Sequence, residues 1–252
     1  MRRFIMGSVV SAIFIGTLAV SPLTAHGAAP HASTINATAG MYHCVKKGVD
    51  LCTVKFKELK ANASVTMICW EDGRHSPSFV WDRWFLVTAS GGVEGFVKAE
   101  RVSTQWENAP ECSNVKRASA VSWAIGRLGQ PTVSQTDINA YKKRFPGWPL
   151  PFGAGNRWSG DCIAFVTLAY FSTGVNVPGG DAIEVARKYS LKGGEPQYGS
   201  LIFWNVGDKG HVGIYIGGNR VIATRGVDAD SYAIKDYAKS FWSGYMGWVR
   251  PY

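Results

Sequence analysis

The chain has 252 residues, a formal net charge of +9 from 27 Lys and Arg against 18 Asp and Glu, and 46% hydrophobic residues. That length holds one large domain or two small ones, and the apolar content suffices for ordinary globular cores. The charge comes without a dense Lys/Arg run or a basic helix, which argues against a nucleic-acid partner and suits a polyanionic surface such as a bacterial cell wall; a merely soluble basic surface accounts for it equally well.

Residues 1–27 read as a signal peptide. Arg2-Arg3 form a basic start, Phe4 to Val20 is uncharged and apolar, Pro22 ends the stretch, and Ala25-His26-Gly27 offers small residues for cleavage. The alternative is an uncleaved anchor, but so short an apolar stretch barely spans a bilayer. Cleavage removes Arg2, Arg3 and no acid, leaving a basic protein, secreted or cell-wall associated, with no stable membrane insertion. Residues 28–40 are small and polar and read as a flexible leader.

Residues 41–105 carry short alternating runs. Val65 to Trp70, Trp84 to Thr88 and Gly95 to Ala99 read as strands, with a turn at Gly91-Gly92. This predicts a small all-β barrel or sandwich, with a core of marginal size. Cys44, Cys52, Cys69 and Cys112 all lie in this half of the chain, an even number that allows two bridges in three connectivities. The favoured pairing is Cys44–Cys52 as a local loop, with Cys69–Cys112 tying back the linker over 106–115. Trp70, Trp81 and Trp84 are candidates to line a binding groove, or else core and shielding aromatics.

Beyond the linker the period changes. Val115, Ala118, Val121, Ser122, Ile125 and Leu128 recur at helical spacing up to Gly129, and Ser134 to Arg144 reads as a short second helix. Phe145 to Pro151 must be a loop, because prolines at 146, 149 and 151 break any helix. Asp161 to Thr173 is the strongest helix, capped by Asp161 and closed by Gly174, with Cys162, Phe165, Val166, Ala169, Tyr170 and Thr173 as its packed stripe. Ser200–Val206, His211–Ile216 and Arg220–Thr224 read as strands, the last two joined by a two- or three-residue turn within Gly217-Gly218-Asn219.

Cys162 and His211 are the chemistry-bearing pair. Four bridging cysteines leave Cys162 over, in the first turn of a helix whose unpaired N–H groups favour a thiolate. His211 stands at a strand mouth. A helix-start thiol beside an imidazole on a sheet is the minimal machinery of a cysteine peptidase or acyl transferase. A small packing cysteine and a structural histidine are the bland readings of the same residues.

Two resemblances sharpen this reading. Trp84-Phe85-Leu86-Val87 followed by Gly91-Gly92 and Gly95-Phe96-Val97 resembles bacterial SH3-like domains. Gly160-Asp161-Cys162-Ile163-Ala164-Phe165-Val166, then Pro196 to Trp204, then His211-Val212-Gly213-Ile214-Tyr215-Ile216-Gly217 resembles the NlpC-type cell-wall cysteine peptidases over residues 116–252. The resemblance implies an α+β fold in which a papain-like cysteine peptidase domain follows a small all-β SH3-like barrel. It implies hydrolysis of peptidoglycan stem-peptide amides, with Cys162 as nucleophile and His211 as general base. The chain departs from that pattern at Ile163-Ala164, at Gly199-Ser200 and in Gln130 to Val133. It departs above all at Ala223, where the family carries a polar residue that orients the base; Thr224 is the nearest polar substitute. No cofactor or metal is implied, because no His, Cys or carboxylate cluster has ligand spacing, and a monomer is expected. The rival readings are a wall-binding protein with an inactive hydrolase domain, and a secreted toxin or transacylase using the same pair.

Overall fold

The computed structural model describes residues 31–45, 49–73, 82–106, 108–129, 135–144, 162–224 and 234–251. Residues 1–27, read as a signal peptide, Trp81, residues 145–151, read as a loop, and Asp161 lie outside these. The described part is a mixed α+β structure built on two antiparallel sheets.

The first sheet contains β1 (His31–Thr34), β2 (Ala39–Tyr42), β3 (Lys55–Leu59), β4 (Ser64–Asp72), β5 (Arg83–Ala89) and β6 (Glu94–Lys98), in the order β1-β4-β5-β6-β2-β3. The three strands read from alternation are β4, β5 and β6, and a 3₁₀ turn at Ser90–Gly92 joins the last two. β1 falls within the stretch read as a flexible leader. It pairs with β4, and the Ile35 that follows is fully buried. Its small residues hide the strand from a hydrophobic pattern, since an edge strand needs only backbone hydrogen bonds and one apolar anchor.

Strict alternation would point Cys69 the same way as Val65 and Met67. A bulge between Met67 and Cys69 prevents this, because one extra residue reverses the facing of everything beyond it. Val65 and Met67 therefore join Ile35, Met41, Phe85 and Val87 in one core. Cys69 joins Leu86 and Phe96 on the other face, where it bonds Cys112. The second bridge is Cys44–Cys52, flanking the short helix α1 (Asp50–Thr53). Pro110 and Glu111 of the linker are held along β4: the Trp70 N–H donates to the Pro110 carbonyl at 3.0 Å and Trp70 bridges to Glu111. Reduction of both disulfides is expected to destabilise the protein by about 2–4 kcal/mol per bridge, measured by denaturant melts with and without reductant; coincident melts would contradict it.

The helices are α2 (Lys116–Ile125), α3 (Gln135–Arg144), α4 (Cys162–Phe171) and α5 (Ala182–Arg187). α4 is not amphipathic. Every residue from Ile163 to Tyr170 is buried, so the single stripe read from its spacing is instead a helix covered all round. The short α5 was not apparent from periodicity; the Asp181 N–H donates to the Glu184 carboxylate at its start.

The second sheet has the order β10-β9-β8-β7-β11, from β7 (Leu201–Trp204), β8 (His211–Tyr215), β9 (Arg220–Thr224), β10 (Ile234–Ala238) and β11 (Tyr245–Val249). Leu201, Phe203, Val212, Ile214 and Ile222 face the helices, in the same cluster as Val121, Phe165, Cys69, Leu86 and Phe96. One apolar core thus runs from the first sheet through α2 and α4 to the second. The opposite face carries Ile202, Trp204, Tyr215, Val221, Ala223, Tyr237 and Trp248.

Polar contacts reinforce that junction. Glu94 is 2% exposed and pairs with Arg117 of α2. It also accepts from the Thr88 hydroxyl at 3.0 Å and the Tyr198 N–H at 2.7 Å. His43 is buried, stacks on Phe56 at 4.5 Å and hydrogen-bonds the Ile216 carbonyl at 3.2 Å. Gly217, at φ +82°, lies so close that a Cβ there would overlap the Glu94 carbonyl oxygen.

Candidate active site

Cys162 opens α4, half-buried beside the shared core. It belongs to neither disulfide. The first four N–H groups of a helix have no carbonyl within it to bond, and they concentrate the positive end of the helix dipole at the thiol. Brief iodoacetamide treatment of the native protein is expected to label Cys162 and to reach the other four cysteines only after reduction. Peptide mapping checks this, and a label on Cys69 or Cys112 before reduction would contradict it.

The direction of α4 is set at its far end. The Tyr170 hydroxyl donates to the Gly199 carbonyl, and the Gly199 N–H donates to the carbonyl of Tyr215, the last residue of β8. A ten-residue helix is about 15 Å long and a five-residue strand about 17 Å. With α4 packed on β8 and Tyr170 held at the Tyr215 end, the Cys162 start points toward the His211 end.

His211 pairs with Trp204 across β7 and β8. By alternation His211, Gly213 and Tyr215 share the face of Trp204 and Ala223, while Val212 and Ile214 face α4. The imidazole and the helix start therefore approach the same end of the sheet from its two faces. The histidine is 6% exposed, with ring centroids 4.2 Å from Trp242 and 6.1 Å from Trp204. The ring is hydrogen-bonded to the backbone of Thr224. Nε2 has no hydrogen-bond partner among the described residues, which leaves Nδ1 to make that bond.

Burial lowers the His211 pKa from 6.5 to about 4, and the N–H donated to the Thr224 carbonyl acts in the opposite direction. Between those two values the unfolded chain binds a proton that the folded chain does not. Stability should therefore fall as pH drops from about 6.5, by about 3 kcal/mol in all, and level off below about 4. Burial also lowers the pKa of His43, which adds in the same sense. Denaturant melts at pH 7 and pH 4.5 test this: His211→Gln should flatten the dependence, and an unchanged slope would contradict the assignment.

The turn after β8 decides what orients the ring. The Ile216 N–H donates to the Arg220 carbonyl and the Arg220 N–H to the Gly217 carbonyl, both at 3.0 Å. Ile214 faces Ile222. The turn therefore has three residues, Gly217 to Asn219, all at positive φ. Ala223 comes to the imidazole face and the Thr224 side chain to the other. The group that Thr224 offers His211 is its carbonyl, not its hydroxyl. Thr224→Val should consequently leave any hydrolysis within about twofold of wild type, less than about 0.5 kcal/mol of barrier; a tenfold loss in steady-state assays would restore a role to the hydroxyl.

Of the candidate groove tryptophans, Trp70 and Trp84 are engaged in the fold. Trp70 donates its indole N–H to the Ala109 carbonyl at 2.8 Å and carries Arg83 on its face at 3.8 Å. Trp84 donates to Asp82 at 3.0 Å and packs edge-on with Tyr42. Among the described residues no group of three or more His, Cys, Asp or Glu is placed to hold a metal ion, and no helix is long and apolar enough to cross a membrane. Trp242, the ring nearest His211, was not apparent from the sequence, where Phe241-Trp242-Ser243-Gly244 has no motif spacing.

Residues 147–250 match the model of the NlpC/P60 family. Over 103 residues the chain is 31% identical to the probable endopeptidase p60 of Listeria grayi, an alignment that covers 40% of this chain and a fifth (20%) of that protein. Among solved structures it is similar to NlpC2 from Trichomonas vaginalis, at 15% identity over 88% of this chain and 72% of the other, with a TM-score of 0.38. It is also similar to an NlpC/P60 family protein from Bacillus cereus, at 16% identity over 87% and 63%, again with a TM-score of 0.38. Superpositions this loose do not define the fold, and the likeness is carried by the sequence match. Cys162, His211 and Thr224 all lie within the stretch that matches the NlpC/P60 family model.

Proposed function

We propose that this protein is an exported cysteine peptidase that hydrolyses amide bonds in bacterial peptidoglycan stem peptides. One observation carries the reading: the stretch matching the NlpC/P60 family model holds a helix-start cysteine outside both disulfides, at the same end of the sheet as a histidine whose Nε2 has no hydrogen-bond partner among the described residues. In the proposed reaction His211 takes the Sγ proton of Cys162 and the thiolate attacks the scissile carbonyl carbon. N–H groups at the start of α4 stabilise the oxyanion. The imidazolium then protonates the departing amine, and water, deprotonated by the same imidazole, hydrolyses the thioester. A ring that resists charging is neutral at rest and takes up the proton only as the thiolate forms and attacks. In this reading the Thr224 carbonyl orients the base, and the N-terminal sheet is an SH3-like module that retains the enzyme on the wall.

The test is mass spectrometry of purified peptidoglycan fragments after incubation with the protein. New amine and carboxylate ends within the stem peptide are expected, and intact stems would overturn the reading. One observation favours a second reading, a wall-binding protein without activity: Ala223 brings no polar atom to the imidazole face. Intact stems together with retention on insoluble peptidoglycan would establish it.

A further inference from the structure

The aromatic group over His211 addresses what holds a base whose usual polar neighbour is replaced by Ala223. We propose that Trp242 is the positioning residue of the His211 imidazole, holding the ring by face contact and excluding water from it. The inference rests on the reading of His211 as the general base.

Trp242 follows a 3₁₀ turn, Lys239–Phe241, that is fastened on two sides. The Lys239 N–H donates to the Asn219 carbonyl at 2.8 Å, and the Trp204 indole N–H donates to the Lys239 carbonyl at 3.2 Å. Beyond Trp242, the Asn205 N–H donates to the Gly244 carbonyl at 2.8 Å. Each of these bonds ties the segment to the loops and strands that flank His211. Tyr237, at 4.8 Å, and Phe241, edge-on at 4.9 Å, brace the indole. The indole thus reaches the imidazole as a fixed surface, 4.2 Å away and tilted by 42°.

The chemistry suits a base. An indole face offers no N–H or O–H donor, so it fixes the ring plane without consuming the Nε2 lone pair. The Thr224 carbonyl fixes the tautomer through the other nitrogen. Together they do by packing and one main-chain bond what a polar side chain at 223 would do by hydrogen bonding. Charged groups on the packed elements are occupied elsewhere: Lys209 lies 3.8 Å from Asp181, and Lys239 lies 3.7 Å from Glu195. Asp208 is exposed, Tyr237 comes from β10 and Cys162 from α4. None of these contributes to the shift of His211, whose causes are burial and the Thr224 backbone.

The test uses the full chain with Trp242→Leu, which keeps apolar bulk without a ring face, and Trp242→Phe, which restores a face. Two readouts are needed: the His211 C2–H titration by NMR, and kcat and KM on peptidoglycan fragments against pH. In Trp242→Leu the titration midpoint should rise by one pH unit or more, and kcat should fall at least tenfold with KM changed less than twofold. Trp242→Phe should return both close to wild type. An unmoved midpoint in folded Trp242→Leu, or a phenylalanine variant no better than leucine, overturns the proposal. If Trp242→Leu does not fold, the titration of Trp242→Phe decides alone, and a midpoint one unit or more above wild type sinks it. Failure of the base reading is distinguishable: His211→Ala would then hydrolyse at the wild-type rate, whatever the titrations show.

Discussion

On the proposed reading, replacing Cys162 with alanine is expected to reduce peptidoglycan hydrolysis by about 10³-fold or more, because the acyl intermediate forms on its Sγ. The effect should fall on kcat, since alanine leaves the pocket and the helix dipole in place. Cys162→Ser should lose nearly as much: a helix terminus that assists a thiol with a pKa of about 8.5 does not ionise a hydroxyl. Both variants should fold, as α4 is held by the buried residues from Ile163 to Tyr170. Fragment release by the purified variants is the measurement. An alanine variant retaining a tenth of wild-type activity would remove the thiol from the mechanism.

Glu94→Ala should be the most damaging substitution away from the site, at about 3–5 kcal/mol in denaturant melts. It removes the carboxylate partner of Arg117, whose side chain is 11% exposed and keeps only neutral acceptors such as the Tyr198 carbonyl, and leaves the Tyr198 N–H and the Thr88 hydroxyl without their acceptor. The loss comes mostly from the uncompensated buried partner rather than from the worth of the pair. Removing both ends with Glu94→Met and Arg117→Met should therefore cost less than Glu94→Ala alone. A double variant less stable than either single one would show the pair to be net stabilising. The same substitution tests the junction between the sheets, because Glu94 lies on β6 and two of its partners, Arg117 and Tyr198, lie on α2 and just before β7.

Much of this could be read from the chain. β4, β5 and β6 were legible because their alternation survives in short windows, and β7, β8 and β9 because they are apolar runs bounded by glycine and polar turns. α2 and α4 were legible by length and by their closing glycines. The strands at the chain's small-residue stretches, β1 and β2, were not legible, because their stabilisation comes from neighbours far away in sequence. α4 was misjudged in kind: spacing suggests one buried stripe, whereas helix and sheet cover the whole circumference.

The sequence alone named the candidate pair, by type and local context: a cysteine beyond the bridging four at a helix start, and a histidine at a strand mouth. It also limited the disulfides to three pairings. Tertiary structure decided the rest through single-residue choices of register. The bulge before Cys69 turns it to the face of Cys112. The three-residue turn at Gly217 to Asn219 sends the Thr224 hydroxyl away from His211 and leaves its carbonyl at the ring. The segment after β10 brings Trp242 onto the imidazole. Local patterns encode which face is apolar. A shift of one residue reverses that face, and the balance between registers rests on contacts between segments far apart in the chain.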